Sequence, residues 1–381
     1  MENEYTSRSS LPEFSLWKET ENRRVPLYFD IDVTARCNNN CRHCYINLPA
    51  SDREAEAREL TTEEIRDLGR EAASMGAVWC LISGGEPLIR EDFPEIYMAL
   101  KREGLLISVF TNACLVTDQH IELFKKYPPR DIEVSVYGVT EETYEAVTRK
   151  KGSFRAFMSG LNRLQDAGID VRLKTMAIRS NVHELPEISE FCRERTGDFF
   201  RFDPLLHLRY DRDERRNAEI RSQRLTPEEV ARIESADAEH LNALENTCKE
   251  AIPPDHEDKS FCNHLFHCGA GNHSFCIGYD GTFRLCSSLH HPDCIYDLRR
   301  GSLRDAWDRF VPEVKIMTSH NEEFMEKCRG CRYFNLCLWC PAHAYLEEGK
   351  MDTWVRYFCE IAHARAEIGG HSEKGFGSRS R

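Results

Sequence analysis

No stretch of this 381-residue chain is apolar for long enough to cross a membrane. Its start, from Met1 to Thr6, has neither the basic nor the apolar region of a secretory signal. Positive charge is in deficit: 51 Lys and Arg face 64 Asp and Glu, a formal net charge of −13. A general nucleic-acid binder needs the opposite balance, because phosphate attracts Lys and Arg. The surplus acid reads as solubility. No internal repeat is visible, so the chain does not read as a repeat array. These absences predict a cytoplasmic protein with no membrane and no nucleic-acid partner.

What the chain has in excess is cysteine, at 17 residues. Such a count fits either a secreted disulfide framework or an intracellular metal protein. The chain is far longer than a disulfide-stapled mini-domain and lacks a signal, so reduced thiols holding metal are expected. Exposed clusters are oxygen-sensitive, which implies a low-oxygen setting. Cys37, Cys41 and Cys44 lie within eight residues, directly after the strand-like run 25–34. Three thiolates can hold a [4Fe–4S] cube and leave one iron open to a small molecule that receives an electron.

Strand-like runs occur near 27–34, 78–83, 105–110, 131–137, 170–178 and 199–203. Helical stretches separate them. Thr61 with Glu64 has capping-box spacing, Thr117, Thr140 and Ser153 are placed to cap the next helices, and 184–195 is amphipathic. Alternating strands and helices predict an α/β fold with a parallel sheet and right-handed crossovers. The pattern fits an open doubly wound sheet and a partial barrel equally. Residues 204–261 break the alternation. Their charged run, Arg209 to Arg216, reads as a solvated face. Thr226, Pro227 and Glu229 then start a helix expected to reach about 245, and Pro253-Pro254 marks a linker. Asp280-Gly281, between 275–279 and 282–286, signals a hairpin. The organisation expected is a lead-in (1–24), an α/β unit (25–205), a helical bridge (206–261), a cysteine-rich extension with a short hairpin and helices (262–365), and a disordered tail (366–381).

The extension carries Cys262, Cys268, Cys286, Cys328, Cys331, Cys337, Cys340 and Cys359. Eight thiolates suit two fully ligated [4Fe–4S] clusters or two structural zinc sites, and spacing alone leaves both open. Beside the N-terminal trio, iron–sulfur is the simpler reading. Cys80, Cys114, Cys192, Cys248, Cys276 and Cys294 read as small buried hydrophobes, though Cys276 and Cys294 lie close to ligands in the chain.

Cys37-x3-Cys41-x2-Cys44 resembles the cluster motif of radical S-adenosylmethionine (SAM) enzymes. Ser83-Gly84-Gly85-Glu86-Pro87 resembles that family's glycine-rich motif, and the later cysteines resemble its SPASM extension with two auxiliary clusters. The resemblance covers roughly residues 27–362. It implies a partial (β/α)6 TIM-like barrel, S-adenosylmethionine as cofactor, three [4Fe–4S] clusters, and a 5′-deoxyadenosyl radical that takes a hydrogen atom from substrate. It implies that Gly84 and Gly85 let backbone approach the methionyl group, that Glu86 orients the turn or nearby polar groups, and that His43 stands near the adenine. Asn112, Ser135 and Lys174 join them around the cofactor, with Tyr137, Asp203 and His207 as candidate proton acceptors. The site residues, from the cysteine trio to Asp203, fall at or near the ends of predicted strands, where barrel active sites assemble. The family's interleaved pattern assigns Cys262, Cys268, Cys286 and Cys340 to one auxiliary cluster. It assigns Cys328, Cys331, Cys337 and Cys359 to the other. In one departure, two residues instead of three separate Cys337 from Cys340, which bears on Cys340 as a ligand.

SPASM enzymes mostly modify peptides or proteins, and a branch of similar architecture acts on tetrapyrroles. Sulfatase-maturating members have an aspartate after the cysteine matching Cys286; Ser287 here argues against formylglycine formation. With 36 residues before Cys37, no leader-recognition domain is expected there, so a leader would need a separate protein or direct docking. The resemblance thus implies a peptide or protein substrate, modified by crosslinking, oxidation or decarboxylation, and a tetrapyrrole or other small molecule as the alternative. An electron donor such as ferredoxin or flavodoxin is the further partner it implies.

Overall fold

A computed structural model describes residues 20, 23–196, 200–236, 241–242, 263–329 and 331–368. Cys248, Cys262 and most of the lead-in, linker and tail lie outside them. Six parallel strands follow one another in chain order: β1 (Tyr28–Asp32), β2 (Trp79–Ser83), β3 (Leu106–Thr111), β4 (Asp131–Ser135), β5 (Val171–Met176) and β6 (Arg201–Asp203). Their side chains divide by the strand period of two. Phe29, Ile31, Ile82, Val109, Val134 and Leu173 are buried in the main core. The alternate set, including Asp30, Ser83, Phe110, Ser135 and Lys174, lines two cavities. Among the described residues β6 pairs with β5 alone, so the barrel is partial.

Helices connect the strands: α1 (Arg53–Arg58), α2 (Thr62–Met75), α3 (Phe93–Arg102), α4 (Asp118–Lys126), α5 (Glu141–Thr148), α6 (Ser153–Asp166) and α7 (Leu185–Thr196). Thr61 and Glu64 close the capping box, and Gly76 ends α2 in the left-handed region at φ 114°. Thr117 and Thr140 are the N-caps of α4 and α5. Ser153 is not a cap. Gly152 takes that place at φ 81°, and the buried Ser153 hydroxyl pairs with Thr148 Oγ1 at 2.7 Å.

The charged run departs from expectation in part. Asp211, Arg212, Glu214 and Arg215 are exposed, but Arg209 is buried, and Glu214–Gln223 forms an unforeseen helix, α8. Leu206, Leu208 and Ile220 sink into a second core with Val147 and Ile178, on either side of the run. Thr226 and Glu229 cap each other's N–H groups ahead of α9 (Pro227–Ala236).

The hairpin forms where Asp280-Gly281 signals it, but it is not a separate layer. Its strands β7 (Ser274–Ile277) and β8 (Thr282–Arg284), with β9 (Tyr296–Asp297), extend the barrel sheet, because β7 runs parallel to β1. One sheet of nine strands results, in the order β9-β8-β7-β1-β2-β3-β4-β5-β6. Phe29 stacks on Phe275 at 5.2 Å and Phe275 on Phe283 at 5.3 Å across this seam. All three rings are buried, and each contributes about 1.5–3 kcal/mol by leaving water. Helices α10 (Pro341–Glu348) and α11 (Arg356–Ile368) finish the fold; α11 runs into the stretch expected to be tail. Arg365 of α11 pairs with Glu234 of α9 at 2.5 Å. Among the described residues no helix is long and apolar enough to cross a membrane.

Candidate active site

The chain leaves β1 and turns directly into the cysteine loop. Cys37 and Cys41 are buried and Cys44 half-buried. Backbone N–H groups of Asn39 and Asn47 donate to the sulfurs of Cys37 and Cys44, each at 3.4 Å, and Asn112 Nδ2 reaches Cys37 Sγ at 3.8 Å. Burial, and then the neighbouring thiols, push Cys37 and Cys41 well above the usual thiol range. Left alone these sulfurs keep their protons. Metal cations would reverse that by supplying positive charge in a dry place. The donor set, with N–H groups already aimed at two sulfurs, therefore fits an iron–sulfur cluster.

The glycine turn closes β2. Gly85 N–H donates to Thr34 O at 2.7 Å and Glu86 N–H to Arg36 O at 2.9 Å, so the turn is laid against the backbone that leads into Cys37. A Cβ on Gly84, which sits at φ 138°, would overlap the Thr34 carbonyl oxygen, and one on Gly85 the Arg36 carbonyl oxygen. Glycine is needed here for contact with the cysteine loop itself. Glu86 lies behind the cavity wall and is wholly buried. Its carboxylate accepts Thr111 Oγ1–H and Asn112 N–H, both at 2.7 Å, and Leu88 N–H at 3.1 Å. Burial outweighs these donors and raises its carboxyl to about 7.

Above the strand ends lies a cavity of about 280 Å³, and the three thiols line it. So do His43, Gly84, Gly85, Asn112, Ser135 and Lys174 from the expected cofactor set. The candidate proton acceptors Tyr137, Asp203 and His207 line it too. His43 is tilted against Tyr137 at 5.0 Å, and its Nδ1 is buried without a partner. Burial, then nearby Arg216, lowers it to about 4, so its ring is neutral and can pair with a ligand. Lys174 pairs with Glu133 and lies 3.7 Å over the Phe110 ring. Burial raises the Asp203 carboxyl and the Tyr137 phenol. It lowers His207 to about 3, helped by His343 at 4.3 Å, so the His207 ring is neutral and takes up a proton poorly. The unpartnered His43 nitrogen and three thiols on one cavity fit a metal cluster with a polar small molecule beside it.

Two groups escaped sequence reasoning. Arg209 and Arg216 reach back to the cysteine loop. Arg209 Nη1 donates to the backbone and side-chain oxygens of Asn47, both at 3.2 Å, and Arg216 Nη2 to Cys41 O at 3.0 Å. The apolar residues Leu206, Leu208 and Ile220 flanking the run were the signal that part of it turns inward. The second group is a wall of rings: Tyr45 against Tyr210 at 4.7 Å, and Tyr210 stacked on His290 at 3.6 Å.

The later cysteines gather in two places. Cys286 is pushed up to about 11 by burial and then by Cys340 and Cys268 nearby. Cys262, expected with them, lies outside the described residues. Cys340 Sγ accepts the His343 N–H at 3.4 Å. Cys328, Cys331, Cys337 and Cys359 together line a cavity of about 30 Å³. Burial and mutual proximity push Cys328 and Cys337 up to about 12. Among the described residues no three Cys, His, Asp or Glu side chains are grouped as a single metal ion requires. Cys80, Cys192 and Cys294 are buried as small hydrophobes; Cys276, also buried, donates to Asp30 Oδ2 at 3.5 Å, and Cys114, half-buried, takes a hydrogen bond from Asn39 Nδ2 at 3.9 Å.

Residues 31–192 match the radical SAM superfamily, and both the three-cysteine loop and the glycine turn lie within that match. A cysteine-rich extension follows this radical SAM domain. It is 27% identical over 333 residues to an AdoMet-dependent heme synthase of Methanosarcina barkeri, covering 84% of this chain and 92% of that one. An Fe-coproporphyrin III synthase from the same organism is 35% identical over 163 residues, 43% of this chain and 40% of that one. Among solved structures, Streptococcus suis SuiB bound to precursor peptide SuiA superposes with a TM-score of 0.67 at 16% identity, over 91% of this chain and 78% of that one. That likeness is one of fold.

Proposed function

We propose that this enzyme modifies a ribosomal peptide or protein by crosslinking, oxidation or decarboxylation. In this reading Cys37, Cys41 and Cys44 hold the SAM-binding [4Fe–4S] cluster, and the extension is a SPASM domain with two auxiliary clusters. When bound, SAM and its cluster supply a 5′-deoxyadenosyl radical that takes a hydrogen atom from substrate. The chain's own residues place and protect that chemistry. Gly84, Gly85, Asn112 and Ser135 form the cofactor side of the cavity. Tyr45, Tyr210 and His207 line the same cavity, where bulky rings exclude water and the neutral His207 can accept a hydrogen bond. A low-potential protein such as ferredoxin or flavodoxin is the proposed electron donor, and a separate protein could present the leader.

The charge of the cavity carries the peptide reading. Lys174 is the one Lys or Arg among its described lining residues, and Glu133 already holds it. A tetrapyrrole with several carboxylates calls for several Arg or Lys partners. A neutral peptide side chain does not. The second reading, a tetrapyrrole, is favoured by the likeness to heme synthases over 84% of the chain. The reconstituted enzyme with SAM and reductant separates the two. Peptides encoded beside its gene are expected to change mass, and iron-coproporphyrin III is expected to be recovered intact. Conversion of the porphyrin with every peptide unchanged would overturn the first reading.

A further inference from the structure

Two arginines distant in the chain grip Asn40 of the cysteine loop, and one of them also holds Cys41. Arg149, in the left-handed region at φ 53° just past α5, donates from Nε to Asn40 O at 2.7 Å and from Nη2 to Asn40 Oδ1 at 3.0 Å. Arg216 of α8 donates from Nη1 to the same Asn40 Oδ1 at 2.8 Å and from Nη2 to Cys41 O at 3.0 Å. The two guanidinium groups share the carboxylate of Glu219, at 3.0 Å and 3.7 Å. Arg216 is 13% exposed, and its Nε is buried without a partner.

This is an uneven arrangement for a clip. Like charges held together repel, and the repulsion is larger where water screens poorly. Neutral amides or hydroxyls would satisfy Asn40 and Cys41 without it. The cost is recovered where negative charge accumulates next to the pair. Arg149 is within electrostatic reach of Cys41, and Arg216 of Cys44. A cube held by three thiolates becomes more negative by one charge when it is reduced. Its potential follows local charge, hydrogen bonding and exposure.

We infer that Arg149 and Arg216 form a cationic clamp that raises the reduction potential of the cluster at Cys37, Cys41 and Cys44, and that Glu219 limits the effect. They are positioning residues: they act on the loop and its field and touch no substrate. The inference rests on the reading that these three thiols hold a cluster.

Opposite charge changes test it. In the reconstituted holoenzyme, a potentiometric titration follows the electron paramagnetic resonance signal that changes when SAM is added. Arg216→Gln keeps an amide donor and removes the cation, and the midpoint potential is expected to fall. Glu219→Gln removes the anion, and the midpoint is expected to rise. Arg216→Lys restores the charge and is expected to return it toward the wild-type value. Iron content reports whether each variant is loaded. Should Arg216→Gln fail to load iron, the upward shift of Glu219→Gln still decides. Shifts of the same sign, or none in Glu219→Gln, overturn the clamp. A wild-type protein with no SAM-responsive signal instead overturns the cluster reading beneath it.

Discussion

Glu86 ties the glycine turn to the end of β3 by accepting the Asn112 N–H at 2.7 Å, and Asn112 in turn donates to Asn38 Oδ1 at 2.9 Å beside Cys37. The acid thus acts on the cofactor site through Asn112. Glu86→Gln replaces one acceptor oxygen with an amide N–H, which the Thr111 hydroxyl can accept but the Asn112 or Leu88 N–H cannot, so one of those two loses its partner. A buried donor left unpaired costs about 1–3 kcal/mol. Passed to Asn112, about 1.4 kcal/mol of that corresponds to a tenfold loss of SAM affinity. Equilibrium binding checks it, and an unaltered dissociation constant would take Glu86 out of the site's support.

The same carboxyl gives stability a pH dependence. Burial raises Glu86 from 4.5 to about 7 in the folded chain. Between those values the folded state keeps a proton that the unfolded state has released, so stability falls as pH rises. The contribution is complete below about 4.5 and lost once pH passes about 7, on the order of 3 kcal/mol in all. The wild-type advantage over Glu86→Gln should therefore shrink between pH 5 and pH 8 in denaturant titrations. A constant difference across that window contradicts the raised value.

Gly85→Ala should damage the cysteine loop from outside it. The new Cβ would meet the Arg36 carbonyl oxygen and, at 2.5 Å, that of Ala35, and backbone cannot swing away. We expect the N-terminal site to lose about four irons per chain and SAM cleavage to collapse. Gly168→Ala is the control. Gly168 also has positive φ, 68°, but open space around it, so it should lose about 1 kcal/mol and no iron. Full iron in Gly85→Ala would show that the turn can part from the loop.

How much of this was legible follows from what each residue needs. The strands of the barrel were readable because each alternates a core face with a cavity face, and caps such as Thr61 with Glu64 announce their helices locally. The motif residues were readable as types at fixed spacing. Arg209 and Arg216 were not, because charge in a run looks the same whether it faces water or a carbonyl 162 or 175 positions away. The parallel pairing of β7 with β1 was equally hidden: a hairpin signal is local, and its edge partner lies far back in the chain. Glu86 was readable as part of the turn, but its three donors come from two separate elements.

Cys337 and Cys340 are near neighbours in the chain, yet they belong to different gatherings of thiols. Cys337 lines the small cavity with Cys328, Cys331 and Cys359, while Cys340 sits within electrostatic reach of Cys286. Two clusters would make iron loss depend on the pair removed, not on the number of cysteines removed. Cys286→Ala, Cys340→Ala and their double variant should each lose the same four or so irons per chain. Cys340→Ala combined with Cys359→Ala should lose about eight, because each thiol would take its own cluster with it. Iron assay and electron paramagnetic resonance of the reduced variants distinguish these patterns. Additive loss in the Cys286–Cys340 double variant would separate the two thiols and break the proposed interleaving, and equal loss in the Cys340–Cys359 double variant would merge the two sites into one.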